Sequence, residues 1–142
     1  MIVLKFMFDE CIAAPIMRTL FANLPEGYYF EHVTDRFRSG TEDEDWLSQL
    51  EEEGGWIVIT ADRAKLSPRG KKLPEICRAR KITHVMLSST LHEKPSRIKA
   101  AALSLKWDDI ALLHQKPQGI RALLRYRTTK KARDVLDLQI LE

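Results

Sequence analysis

At 142 residues the chain has the size of one domain and is long enough to bury a core without disulfides or metals to staple it. Apolar residues make up 44% and charged residues 30%, with no low-complexity run and no repeat, which excludes a disordered or fibrous chain. No apolar segment approaches the roughly 20 residues a membrane span needs, so no membrane partner is expected.

The N-terminus lacks a basic n-region and a small-residue cleavage site, and the expected compartment is therefore the cytoplasm. Cys11 and Cys77 have no metal-type spacing and sit beside apolar residues, as buried thiols of a reducing compartment do. Net charge is +3 but uneven: 42–45 and 51–53 are acidic, while 63–81 and 116–133 are basic. Such local fields matter more than the total.

The run IVLKFMF, 2–8, reads as a strand covered on both faces. From Ile12 the apolar spacing turns helical through Ile16, Met17, Leu20 and Leu24, and Pro25 stops it. A second strand is expected over 28–33, then a polar loop through Gly40. Thr41 followed by Glu44 reads as a capping box, with Trp46, Leu47 and Leu50 forming the apolar face of the helix behind it. Gly54 and Gly55 end that helix and WIVIT, 56–60, is a third strand, followed by Ala61-Asp62-Arg63. After a basic loop come a short helix over 74–80, a strand over 84–89, helices over 96–105 and 108–114, and a final strand over 120–127. This predicts one domain over 1–127, with a tail over 128–142 as a candidate partner-binding segment.

Strands alternating with helices imply a mainly parallel sheet with helices on both faces, and in such folds sites gather at the carboxyl ends of the strands. Asp9-Glu10 and Asp62 each stand just past a buried-type strand. Two readings stand for them. An acid before a helix caps orphan N–H groups, and an acid after a strand serves a turn. Alternatively, if the first and third strands are neighbours, Asp9 and Asp62 converge, and the helix start holding Asp43 and Asp45 adds acids to the same place. Carboxylates crowded together need a cation, and oxygen ligands select Mg²⁺ or Mn²⁺.

MFDEC after the first strand, GTEDEDWL before WIVIT, and ITADR after it resemble the PIN-like nuclease family, with small VapC-type toxins among the similar members. The likeness covers about the first 90 residues and rests on the order of the motifs. It implies an α/β three-layer sandwich with a mainly parallel central sheet. It implies metal-dependent cleavage of RNA with Asp9, Asp43 and Asp62 as catalytic and metal-holding acids. Asp45 is a competing fourth ligand, and Glu10 and Thr60 support. Implied partners are an RNA substrate and a cognate antitoxin, and a homodimer is compatible with the family.

Ala64 and Lys65 stand where many members carry a further Asp and an aromatic, which is the best support for an inactive PIN-like binding module. Arg63, Lys65, Arg69, Lys71 and Lys72 follow Asp62 closely enough to hold phosphates, or are a solvated loop. His32, His84, His92 and His114 have no HExxH or triad spacing, and Trp46, Trp56 and Trp107 read as core. A phospho-receiver would use Asp9-Glu10, Asp62, Ser88 or Ser89 and Lys94-Pro95 in that order, but the Lys follows the Ser too soon to lie on another strand.

Overall fold

The computed structural model describes residues 3–61, 73–128, 130 and 134–141. Among them the strands are β1 (Leu4–Phe8), β2 (Tyr28–His32), β3 (Trp56–Ala61), β4 (His84–Leu87), β5 (Arg121–Thr128) and β6 (Asp134–Leu141). They form one sheet in the order β2-β1-β3-β4-β5-β6. The first five are parallel, and β6 runs antiparallel to β5. The connection 129–133 is too short for the dozen or so residues a parallel crossover needs.

The helices are α1 (Ala14–Asn23), α2 (Val33–Arg36), α3 (Asp43–Glu53), α4 (Leu73–Ala79), α5 (Ser89–His92), α6 (Ser96–Leu105) and α7 (Trp107–Ala111), with a 3-10 turn over Leu112–Gln115. Period-two alternation along the strands sends side chains to two cores. Phe6, Phe8, Ile57, Ile59, Val85 and Leu87 pack with Ile16 and Leu20 of α1, Leu103 of α6 and Trp107 and Ile110 of α7. Met7, Trp56 and Val58 pack on the other face with Trp46, Leu47 and Leu50 of α3 and Ile76 and Cys77 of α4. The result is the expected three-layer α/β/α arrangement. Each buried strand explains its own continuous apolar run, because both of its faces are covered. Among the described residues no helix is long and apolar enough to cross a membrane.

Several expectations need correction. Residues 134–141 are not a tail but the sixth strand, hydrogen-bonded to β5 along its whole length. The segment expected as loop after β2 contains α2, whose N-cap is His32, not a Ser, Thr, Asp or Asn. The strand expected to run to Ser89 stops at Leu87, because the Ser88 side chain accepts from the N–H of Leu91 and starts α5. The Thr41–Glu44 capping box does not form: Glu42 is the N-cap of α3 with no side-chain cap bond, the Thr41 hydroxyl donates to Arg38 O, and Glu44 pairs with Arg80. Gly54, at φ 75°, closes α3 in the left-handed region that glycine enters most readily.

Candidate active site

Strand order reverses direction between β1 and β3: the chain leaves β1 toward β2 on one side and returns to β3 on the other. Outside the carboxyl ends of two such strands the helices diverge and leave a crevice, the usual ligand position in open α/β sheets. Asp9 follows β1 at this point, and its N–H extends the ladder to Ile59 O of β3 at 2.9 Å. Register places Phe8 opposite Ile59, so Asp9 faces Thr60.

Asp9 is buried, 1% exposed, and its carboxylate is held from three sides. Oδ1 accepts from the Glu10 N–H at 2.8 Å. Oδ2 accepts from the Cys11 thiol at 2.9 Å and from the Thr60 hydroxyl at 3.0 Å. The cap reading of Asp9 fails here. Helix α1 starts at Ala14 with Ala13 as N-cap and no side-chain cap bond, whereas Asp9 opens a tight turn through Ile12 N–H to Asp9 O at 2.9 Å. The strand therefore ends in a buried carboxylate oriented by β3, with Glu10 beside it exposed.

His32 secures that turn from the β2 side. Its Nδ1 accepts from the Thr34 N–H at 3.2 Å, so Nε2 carries the proton and donates to Ile12 O at 2.7 Å. Both Cys11 and His32 lie outside the candidate site read from sequence, since neither has metal or triad spacing. The available local signal was the Asp-x-Cys turn directly after a buried strand.

Asp43 is the first residue of α3, half-buried, and its Oδ1 accepts from the indole Nε1–H of Trp46 at 3.1 Å. Burial pushes the Cys77 thiol of α4 well above the ordinary cysteine range, and the charges of Asp9 and Asp43 both add to that rise. Asp45 is exposed on the same helical turn. Asp62, and with it Arg63, Lys65, Arg69, Lys71 and Lys72, lies outside the described residues.

In kind the donors fit a hard cation, since carboxylates and a threonine hydroxyl are oxygen ligands of the class Mg²⁺ and Mn²⁺ prefer. In number the described residues fall short: among them no group of three or more His, Cys, Asp or Glu could hold a metal ion.

A family model described as "PIN like domain" matches residues 4–89, more than half of the chain, spanning β1 through the start of α5. No curated protein and no solved structure matches the chain. The match runs over the elements that build the Asp9 crevice, and PIN-like domains are commonly nucleases, so it points to a nuclease-type or other PIN-fold function. With a mostly parallel sheet flanked by helices and its buried acid at the switch point, the chain belongs to the PIN-like domain family.

Proposed function

We propose that the protein is a Mg²⁺- or Mn²⁺-dependent endoribonuclease of the cytoplasm, the toxin of a toxin–antitoxin pair. The observation that carries this reading is Asp9: a buried carboxylate at the β1/β3 switch point, oriented by Thr60 and Cys11, in a chain of PIN-like type. Burying a carboxylate is costly unless something rewards its charge, and a bound cation would do so. Asp9, Asp43 and Asp62 are the residues that would hold the cation, with Asp45 at the exposed rim. When bound, a hard divalent cation supplies a more acidic water and neutralises charge on the phosphate. The chain's own part is to fix Asp9 through Thr60, Cys11 and the Glu10 N–H, so that its charge is in place before substrate arrives. The cations Arg63, Lys65, Arg69, Lys71 and Lys72 would hold the RNA backbone, an affinity that weakens with salt.

One observation favours a second reading, an inactive PIN-like binding module. Both oxygens of Asp9 already accept hydrogen bonds from the protein, and Oδ1 of Asp43 is taken by Trp46. The receiver alternative has no such support, since Lys94 lies between α5 and α6 with its ammonium over the Tyr126 ring. Incubation with single-stranded and structured RNA under Mg²⁺, Mn²⁺ and EDTA, beside Asp9→Asn, Asp43→Asn and Asp62→Asn, separates the readings. A nuclease cleaves only with metal and loses most activity in each variant, while the variants still bind RNA. Cleavage that survives EDTA, or is equal in all four proteins, would overturn the proposal. RNA binding without cleavage would select the inactive module. Growth arrest on expression, relieved by a co-purifying small protein, tests the toxin role.

A further inference from the structure

A cavity of about 110 Å³ opens at the amino ends of β3 and β4, where a single water requires only about 10–15 Å³. It is lined by Glu51 and Gly54 at the end of α3, Trp56 at the start of β3, the α4–β4 turn 80–83, and His114 and Lys116 beyond α7. Trp56 and Thr60 lie about 13 Å apart along β3, so the cavity sits at the far end of the sheet from Asp9. Its charge is one-sided. Arg80, Lys81 and Lys116 stand against Glu51, which, like Glu44, is already paired with Arg80 at 3.1 Å. Among the described residues neither Lys81 nor Lys116 has an ion pair. Lys5 adds a further cation beside this wall, with its ammonium 4.8 Å from the centre of the Trp56 ring.

Two further features call for an occupant. The Nε–H of Arg80 is buried with no hydrogen-bond partner, as is Nε2 of His114. A buried donor left unpaired is costly, and an acceptor seated in the cavity would satisfy it. Among the described residues Lys81, at φ 55°, is the one non-glycine in the left-handed region. It ends α4 by donating its N–H to Arg78 O at 3.2 Å while the Ile82 N–H donates to Cys77 O at 2.8 Å, a motif whose left-handed residue is usually glycine. Gly119 closes on that turn: its N–H donates to the Thr83 hydroxyl at 3.1 Å, and a Cβ on it would come 3.2 Å from Lys81 Cα. Cations also suit the negative carboxyl ends of α3 and α4. That accounts for the charge, but not for the orphan N–H of Arg80 or for a lysine where glycine is less strained. An oxyanion accounts for all three. The cations come from separate segments, β1, the α4–β4 turn and the stretch before β5, which suits the several oxygens of a tetrahedral phosphate better than a planar carboxylate.

We propose that this cavity binds a phosphate group, free or carried by a nucleotide, through Arg80, Lys81 and Lys116. It stands apart from the Asp9 crevice and does not depend on that crevice being catalytic. Amide NMR spectra of the full chain test it, titrated into the millimolar range with inorganic phosphate, a nucleoside 5′-monophosphate, acetate and chloride at matched ionic strength. Both phosphates should give saturating shifts at Gly54, Gly55, Lys81 and Gly119, and acetate and chloride should not. A nucleotide several-fold tighter than inorganic phosphate assigns the group to a nucleotide, and equal affinities assign it to phosphate alone. Lys116→Gln should weaken phosphate binding several-fold at unchanged stability. Lys81→Gly should weaken it several-fold while raising the urea midpoint, since glycine relaxes the left-handed turn. A lysine that only complements the carboxyl end of α4 would show no loss of binding. No saturating shift with either phosphate, equal shifts with acetate or chloride, or phosphate binding unchanged in Lys81→Gly and Lys116→Gln would overturn the proposal.

Discussion

Replacing Thr60 by Val keeps the side chain's shape and removes one donor from Asp9. The hydroxyl is wholly buried and donates to Asp9 Oδ2 at 3.0 Å, sharing that oxygen with the Cys11 thiol, while Oδ1 holds the Glu10 N–H. A hydrogen bond to a charged acceptor contributes about 1.5–3 kcal/mol. Water cannot take over the role, since Asp9 is 1% exposed, so the loss should fall within that range. For a domain of this size about 2 kcal/mol lowers the thermal midpoint by roughly 4–8 °C, and the urea midpoint by about 1 M. Thr60→Ser keeps the donor and loses one methyl, for about 1 kcal/mol. Urea unfolding followed by the fluorescence of the buried Trp46, Trp56 and Trp107 measures both variants. If Val is as stable as wild type, or Ser costs as much as Val, Thr60 acts through packing and its hydroxyl does not hold the Asp9 carboxylate in place.

Burial, helped by the Arg121 charge, pushes the His84 imidazole down to about 4, below its ordinary 6.5. Its stabilising share is therefore complete above pH 6.5 and is lost as pH falls toward 4, by roughly 3 kcal/mol in all; His84→Gln should remove that slope from urea unfolding measured across this range. The Arg36 guanidinium, with the Trp56 and Gln49 N–H groups, holds the Glu53 carboxyl down at about 2. Its contribution is present above about pH 4.5 and fades as pH falls toward 2, so Glu53→Gln should show a flatter acid limb by circular dichroism. Leu47 is fully buried in the α3/α4 core, and Leu47→Ala should cost about 2–5 kcal/mol in the same urea assay, with the spread set by how far α3 can settle.

The five parallel strands and the longer helices through residue 127 were legible because their signals are local, whereas the one-turn helices α2 and α5 were not. A strand covered on both faces must be apolar throughout, as in the WIVIT run of β3, and an amphipathic helix must repeat near 3.6, as Trp46, Leu47 and Leu50 do in α3. The strand-end position of Asp9 and the helix-start position of Asp43 were legible for the same reason. β6 was not, since a half-exposed edge strand shows weak alternation and its apolar residues follow a basic stretch that reads as a tail.

What only the tertiary structure decided is where partners at long sequence separation meet. Sequence left Asp9 open between a cap and a site. The neighbourhood of β1 and β3 removed the cap, by bringing the Thr60 hydroxyl to a carboxylate that does not cap α1. It likewise gave Cys11 and His32 their roles in holding the turn after Asp9. Each of these residues reads as ordinary in its own stretch of chain. A hydrogen bond or a desolvated charge is a property of two groups and the solvent excluded between them, and that exclusion exists only once the sheet is assembled.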